Sequence, residues 1–191
     1  MNRTTMLVVC ALAVTLCAGM AMASTTPPAD TLKVDYFSNA NTAGAPDGTV
    51  RITNPGTSGT GLCAAIFVVD VFQEMSECCS CFVSPDGLRT LSVNADLTSN
   101  PLTGVTLSTG VVKMVSTRAS GTTCPIPTSL YPTAALRSWS THVQNSNFSI
   151  TETASQDATF SYAEQVLLQN ECHAIHLDGS GKGICSCGTG D

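Results

Sequence analysis

The sequence predicts a mainly β protein: an antiparallel β-sandwich, immunoglobulin-like or similar, with one C-terminal α-helix and a disulfide-pinned tail. Three observations predict this fold class. Short strand-like segments recur along the chain between clusters of Gly, Pro and Asn, which is the spacing of a sandwich. Charged residues are only 12% of the 191 residues, so Ser and Thr, which favour turns and strands, must supply the polar surface. Eight of the ten cysteines follow the N-terminal segment, and an even number is typical of a disulfide framework.

The N-terminal segment has the parts of a secretory signal peptide. Arg3 is followed by the apolar run MLVVCALAVTLCAGM and by the small-residue ending AMA, which resemble a basic start, an apolar core and a cleavage site. The run is shorter than the about 20 residues of a membrane span, so an uncleaved anchor is the less favoured alternative. We expect residues 1–23 to be removed, residues 24–31 to form a loose lead-in, and residues 32–191 to form one secreted, extracellular or periplasmic domain without a transmembrane segment.

Eight segments are predicted to be β-strands. The run LCAAIFVVDVF is apolar and β-branched, which favours a central strand covered on both faces. Most of the others alternate between apolar and polar residues and are bounded by turn residues. The predicted strands are Leu32–Phe37, Thr49–Thr53, Leu62–Phe72, Leu88–Leu97, Gly104–Ser108, Val111–Thr117, Leu136–Gln144 and Phe148–Ala154.

One helix is predicted near residues 161–176. Ser161 and Glu164 have the spacing of a capping box, in which each side chain satisfies the free backbone N–H of the other residue. The glycine-rich tail after the helix has little apolar content, so we expect cross-links to hold it in place. The helical stripe predicted from the sequence consists of Ala163, Val166, Leu167, Asn170 and Ala174.

All eight cysteines after the signal segment are predicted to form disulfide bonds. Eight cysteines permit 105 pairings, so the sequence leaves the connectivity open. We expect Cys172 to pair close to the tail, and the CCSC cluster at residues 78–81 to pair with Cys63 and with cysteines beyond it. The eight are Cys63, Cys78, Cys79, Cys81, Cys124, Cys172, Cys185 and Cys187.

The CCSC cluster has an alternation that limits its partners. If residues 78–81 are extended, Cys79 and Cys81 face one side and Cys78 faces the other, so the cluster can join two different neighbours. Each of the three cysteines is expected to pair outside the cluster, because a bridge between adjacent cysteines is strained.

A metal- or redox-active exported protein is the alternative function. It would use the Cys78/Cys79/Cys81 cluster, or Cys172 with His173 and His176. The two histidines lie on one helix face, and together with Cys172 they would hold zinc or copper. The simpler interpretation of the histidines is a surface pair near a helix C-terminus. The spacings CCSC and CSC differ from the paired C-x2-C spacing of zinc sites. We therefore predict no metal and no cofactor.

Signals for catalysis are mostly absent from the sequence. There is no G-x-S-x-G elbow and no H-E-x-x-H motif, so no catalytic residue is predicted. His142 is a candidate base but is more simply a half-buried strand histidine. Asp70, Glu74 and Glu77 do not form an EF-hand loop and are interpreted as a solvated edge and turn. The formal net charge of −6 argues against nucleic-acid binding. A secreted hydrolase with a site assembled from distant loops is a weaker alternative.

Four segments resemble a group of exported, cysteine-rich proteins from soil bacteria to which no activity is assigned. They are VRITNPGTSGTGLCAAIFVVD, QEMSECCSCFVSPDGLRTLSVNADLTSNPLTG, LRSWSTHVQ and the tail GSGKGICSCG. The resemblance implies export and bacterial origin, and it supplies no catalytic residue. We predict a structural, adhesive or interaction module without catalytic activity, whose sheet edges are available for protein partners or self-assembly.

Overall fold

The structure is a computed structural model that describes residues 30–190. The signal-peptide prediction for residues 1–23 lies outside the described residues, as does most of the expected lead-in. Ten strands and one α-helix make up the described part, together with a single π-helical turn after the fifth strand. In chain order they are β1 Leu32–Phe37, β2 Thr49–Thr53, β3 Leu62–Val69, β4 Met75–Val83, β5 Leu88–Ser92, the π-turn Val93–Leu97, β6 Gly110–Arg118, β7 Arg137–Gln144, β8 Ser149–Ala154, β9 Gln156–Ala158, α1 Tyr162–Asp178 and β10 Thr189–Gly190.

The strands form two five-stranded antiparallel sheets, which confirms the predicted fold class. The first sheet has the order β4-β3-β6-β1-β9, and the second has the order β10-β5-β2-β7-β8. Apolar side chains from both sheets form a common core between them. A second apolar cluster joins the outer face of the first sheet to α1. The layers are therefore the second sheet, the first sheet and the helix.

Strand β3 is the central strand that the sequence predicts. It pairs with β4 on one side and with β6 on the other, and all eight of its residues are buried. Ile66 and Val68 face the core between the sheets, while Ala65 and Phe67 face the helix. Both faces of the strand are covered, which explains why the segment is apolar without alternation.

Strand β3 ends at Val69 rather than at the predicted Phe72. The carboxylate of Asp70 accepts hydrogen bonds from the backbone N–H groups of Phe72 and Glu74, at 2.8 and 2.9 Å. This short polar side chain therefore fixes a turn and stops the ladder.

The structure corrects two other predicted strands and adds three that were not predicted, β4, β9 and β10. The segment Leu88–Leu97 divides at Ser92, whose hydroxyl accepts from the N–H of Ala95 at 2.7 Å and begins the π-turn. The segment Gly104–Ser108 is a loop and joins neither sheet. Strand β4 was not predicted, because its cysteines, serines and glutamate show no apolar period in the sequence.

Helix α1 confirms the predicted helix, with bounds that differ by one or two residues. The hydroxyl of Ser161 accepts from the N–H of Glu164 at 3.1 Å, as expected of an N-cap. The carboxylate of Glu164 does not complete the predicted capping box, because it accepts from the ammonium group of Lys113 at 2.6 Å. The cap of the helix is thus tied to strand β6 of the sheet beneath it.

The buried face of α1 differs from the predicted stripe. Leu168, Cys172 and Ile175 are buried, whereas Leu167 is 49% exposed. The helix face that carries Leu168, Cys172 and Ile175 packs on the first sheet. The Cys78–Cys172 disulfide fixes this orientation.

Candidate functional site

Strand β4 is joined by disulfide bonds to both C-terminal elements of the protein. Cys78 pairs with Cys172 of α1, and the two other cluster cysteines pair with Cys185 and Cys187 of the tail. The predicted disulfide bonds are confirmed, and each cluster cysteine pairs outside the cluster. The expected pairings of Cys172 with the tail and of the cluster with Cys63 are wrong.

The alternation of β4 explains the correct pairing. Cys79 and Cys81 belong to the core between the sheets, and Cys78 belongs to the cluster beneath the helix. A strand directs successive side chains to opposite faces, so the helix receives Cys78 and the tail receives the other two. Cys63, at the start of β3, lies opposite Phe82 of β4 but pairs with Cys124 in the segment after β6.

The tail covers the outer edge of β4 and then crosses to the other sheet. The N–H of Cys78 donates to the carbonyl of Gly183 at 2.8 Å, and the N–H of Gly183 donates to the carbonyl of Asn100 at 2.7 Å. Strand β10 then pairs with β5 of the second sheet. Gly183 has a φ of +76°, and a Cβ there would lie 2.6 Å from the side chain of Ile175, so only glycine fits this crossing.

Glu77 of β4 is fully buried, which overturns its interpretation as part of a solvated edge. One carboxylate oxygen accepts from the N–H of Asn100 at 2.9 Å, and the other has no hydrogen-bond partner among residues 30–190. Burial raises the pKa of Glu77 to about 7, against a smaller opposing effect of the Asn100 hydrogen bond. The carboxyl group of Glu77 is therefore only partly ionised near neutral pH.

One group of metal-binding atoms lies beside the helix disulfide. Within residues 30–190, the donor atoms of Cys78, Cys172 and His176 lie within 4.8 Å of one another. The sequence hypothesis grouped Cys172 with His173 and His176. The structure places Cys172 and His176 together, and the third residue of the group is Cys78 rather than His173. Both sulfurs are joined in a disulfide, so they are not thiolate ligands while the bond is intact. Burial and the neighbouring His173 lower the pKa of His176.

His142 is fully buried, not half-buried as the sequence indicates. Its Nδ1 lies 3.1 Å from the carbonyl oxygen of Tyr36, and its ring stacks on that of Tyr36 at 4.3 Å between centroids. Its Nε2 lies 2.8 Å from the hydroxyl of Thr153 and 3.3 Å from a carboxylate oxygen of Asp35. These residues line a cavity of about 320 Å³.

This cluster differs from a hydroxyl–histidine–carboxylate triad. In a triad the carboxylate holds Nδ1 and leaves Nε2 to the nucleophile. Here the carboxylate of Asp35 and the hydroxyl of Thr153 both face Nε2, and a backbone carbonyl holds Nδ1. The hydroxyl of Ser155 donates to Asp35 at 2.8 Å instead of to the histidine. The arrangement around His142 therefore differs from the acyl-transfer geometry of a serine hydrolase triad.

A second cavity, of about 380 Å³, lies between two loops at the end of the first sheet. The β3–β4 turn contributes Val71 and Phe72, and the loop before β6 contributes Val105. These side chains are 63%, 79% and 65% exposed, respectively. Together they form the apolar loop surface, bordered by the carboxylates of Asp70 and Glu74.

Comparison of the chain with protein-family models, curated proteins and solved structures found no match. Among the described residues, no helix has the length and apolar character needed to cross a membrane. The multiple disulfide bonds are consistent with an extracellular or periplasmic location. The fold and its disulfides fit a stabilised module of the extracellular type.

Proposed function

We propose that the protein is an exported interaction module that binds a protein partner through the apolar loop surface formed by Val71, Phe72 and Val105. The observation that carries the proposal is the exposure of these three side chains around one cavity. Isolated exposed apolar residues are ordinary, but a contiguous group around a concavity is typical of an interaction surface.

The charge around the apolar loop surface favours a particular kind of partner. Asp70 and Glu74 line the same cavity, and the whole chain carries a formal charge of −6. A partner with an apolar contact and a Lys or Arg rim complements this surface. An anionic lipid surface does not, because both carry negative charge.

The scaffold beneath the surface supports a binding role. Strand β4 begins at Met75, directly after the loop that carries Phe72, and its cysteines are bridged to α1 and to the tail. A loop that starts and ends in cross-linked strands loses less entropy when it is ordered by a partner. Export, bacterial origin and removal of residues 1–23 belong to the same proposal. Intact-mass analysis of the exported protein should give a chain that starts at Ser24, and a mass retaining the apolar run would contradict cleavage.

The binding proposal is tested by selecting peptides from a random display library on the disulfide-bonded protein. We expect enriched peptides to combine aromatic or aliphatic residues with Lys or Arg. Their binding should be lost in the variant Phe72→Ser/Val105→Ser and retained in the matched control Tyr131→Ser/Ile150→Ser, which also removes two exposed apolar side chains. Peptides that bind equally well to the first variant, or stronger binding to phosphatidylglycerol vesicles than to any peptide, would refute the proposal.

A metal-binding exported protein is the second candidate, favoured by the proximity of Cys78, Cys172 and His176. This function requires a dithiol reductant to convert the disulfide to two thiols, which then bind metal as thiolates. Thiol titration of the purified protein under denaturant, with metal analysis, separates the candidates. Free thiols at these positions together with a stoichiometric metal would favour the second function over the first.

A further inference from the structure

We propose that the outer edge of strand β8 pairs with the same strand of a second copy of this chain, which joins the second sheets of the two copies into one continuous sheet. Strand β8 has six residues, all of them exposed, and within residues 30–190 its ladder is with β7 alone. The edge shares no residue with the apolar loop surface or with the Cys78/Cys172/His176 group. Pairing at this edge is therefore independent of both proposed functions.

The other sheet edges of the described residues are covered or short. Along β4 the carbonyl of Ser76 accepts from the N–H of Leu102 at 3.0 Å. The N–H of Cys78 donates to the carbonyl of Gly183 of the tail at 2.8 Å. Strand β9 has three residues and β10 has two. Covering an edge and keeping it short are both ways in which proteins avoid edge pairing, and β8 uses neither.

The ladder with β7 determines which backbone groups of β8 face outwards. The N–H of Ser155 donates to the carbonyl of Ser138 at 3.0 Å, and the register runs from there to Ser149 without a shift. Hydrogen-bonded pairs alternate along an antiparallel ladder, so every second residue of β8 bonds to β7. The N–H and C=O groups of Ile150 and Glu152, which lie between them, point away from the sheet. The crossing to β9 at Ser155 closes the gap between the two sheets but leaves this outer side open.

The sequence of β8, SITETA, carries little that would keep two copies apart. It contains no Pro and no Lys, and its pairing with β7 has no bulge, although these are common protections of an exposed edge. Its one charged residue, Glu152, forms an ion pair with Arg51 of β2. This pair draws the carboxylate across the sheet and away from the edge. Ile and Thr, which make up half of the strand, favour extended backbone.

A two-fold axis at Thr151 gives the most favourable register for two copies. Ile150 of one copy then lies opposite Glu152 of the other, and all the outward N–H and C=O groups of these two residues are paired. An axis at Glu152 would place two carboxylates directly opposite one another, which is destabilising. An axis at Ile150 would place Glu152 opposite Phe148, which has a φ of +54° and lies outside the strand.

The expected dimer is reversible and strengthened by salt. Pairing through a single strand is a small contact compared with the roughly 1,200–2,000 Å² of a standard interface, so association should depend on protein concentration. Each copy carries a formal charge of −6, and salt screens the repulsion between two such copies. Salt would weaken the binding of a basic partner instead. The direction of the salt effect therefore separates a second copy from a basic partner at this edge.

Sedimentation velocity of the disulfide-bonded protein over a concentration series, at low and high salt, tests the proposal. We expect a monomer–dimer equilibrium that shifts towards the dimer at high salt. Ile150→Pro removes an outward N–H without removing a bond to β7, a position at which an edge strand tolerates proline, and should abolish the dimer. Ile150→Val keeps the N–H and should retain the dimer. Circular dichroism of both variants checks that they are folded.

Cysteine cross-linking tests the register without relying on the proline variant. Residues at the axis form a non-hydrogen-bonded pair with Cα atoms about 4.5 Å apart, which is within the range of a disulfide. Thr151→Cys should therefore give a covalent dimer on air oxidation. Asp178→Cys, at the exposed end of α1, measures cross-linking by collision and should react at least about tenfold more slowly.

Three results would each overturn the proposal. The first is a protein that stays monomeric at every concentration and salt. The second is an Ile150→Pro variant that is folded and dimerises like the original protein. The third is a Thr151→Cys variant that cross-links no faster than Asp178→Cys.

Discussion

Each open edge of the sandwich is closed by a segment that crosses from one sheet to the other, and the two segments are held by different forces. At the β4 edge the tail crosses from Cys78 to strand β10 and is held by two disulfides. At the opposite edge the chain crosses from β8 to β9 and is held by hydrogen bonds and ion pairs. The polar groups that hold this second crossing are Lys33, Asp35, His142, Ser155 and Asp157.

The composition of the two segments explains the difference. Strands β8 and β9 pair with β7 and β1 through continuous ladders, so backbone hydrogen bonds position this crossing without a covalent link. The tail is rich in glycine and makes a ladder of only two residues at β10. Glycine loses more conformational entropy on ordering than other residues, and a cross-link offsets this loss. The stability of the β4 edge should accordingly depend on oxidation of its cysteines, whereas that of the β8–β9 edge should not.

The largest effect should follow removal of the two tail bridges. We expect Cys79→Ala/Cys185→Ala or Cys81→Ala/Cys187→Ala alone to lower the free energy of unfolding by about 2 kcal/mol, and all four replacements together to lower it by about 5 kcal/mol. The two costs are not additive. While both tail bridges are present, either of them closes only the short loop between the two bridges, so removing one has the smaller effect. The second bridge closes the longer loop that returns through the helix disulfide. Urea unfolding under non-reducing conditions measures these values.

The rate of trypsin cleavage at Lys182 shows whether the loss of stability comes from release of the tail. The exposed Lys182 precedes the covered segment of the tail, so the four-residue variant should be cut there much faster than the original protein. Removing the Cys63–Cys124 bridge is the matched control, since that bridge does not touch the tail. Equal cleavage of the two variants would show that the tail is held by something other than its disulfides.

Glu77 should give the β4 edge a pH dependence of its own. Its pKa rises from 4.5 to about 7 in the folded protein, so the folded state holds a proton that the unfolded state loses. The stabilisation is fully present below pH 4.5 and is lost as the pH rises through about 7, a change of about 3 kcal/mol. Urea unfolding between pH 4.5 and 8.5 should show this loss, and Glu77→Gln should remove it. Glu74→Gln, an exposed change in the same region, should leave the profile unaltered.

Asp30 should give the β8–β9 edge the opposite dependence. Ion pairing with Lys33 and Arg137, against a smaller effect of burial, lowers the pKa of Asp30 from 3.8 to about 2. After screening of these ion pairs by solvent, the resulting stabilisation is at most about 1 kcal/mol; it is present above pH 4 and lost as the pH falls through 2. Asp30→Asn should flatten the unfolding profile in this range, while Asp178→Asn at the exposed end of α1 should not. A profile that flattens equally in both variants would exclude Asp30 as the cause.

The sequence predicted the elements whose apolar pattern matches their burial. Strands β1 and β2 have the predicted bounds because alternation is visible within the segment itself. Three of the seven buried residues of strand β4 are disulfide-bonded cysteines, and the partners that fix their positions lie elsewhere in the chain. Its strand character therefore could not be predicted from local pattern.

The candidate sites depend still more on contacts between distant segments. His142 was visible as a candidate, but its partner Asp35 lies on a strand of the other sheet, and only packing of the sheets places the two at 3.3 Å. The exposure of Val105 had no sequence signal, because the segment Gly104–Ser108 has the composition of a strand. The burial of Glu77 was likewise hidden, since a glutamate beside a turn is ordinarily exposed.

The smallest effect should come from the N-cap of α1. The helix is joined to the β4 edge through Cys172, whereas its cap is specified by the local sequence. Replacing Ser161 by Ala removes the acceptor for the N–H of Glu164 and should lower the free energy of unfolding by about 1 kcal/mol. A control substitution in the helix should avoid Gln169, whose amide donates to the carbonyl of Thr128 at 3.2 Å. Asn170→Ala, an exposed change in the helix interior, should be neutral or slightly stabilising. If Ser161→Ala costs nothing while the Cys78–Cys172 bridge is intact but costs about 1 kcal/mol once that bridge is removed, the disulfide rather than the cap determines where the helix begins.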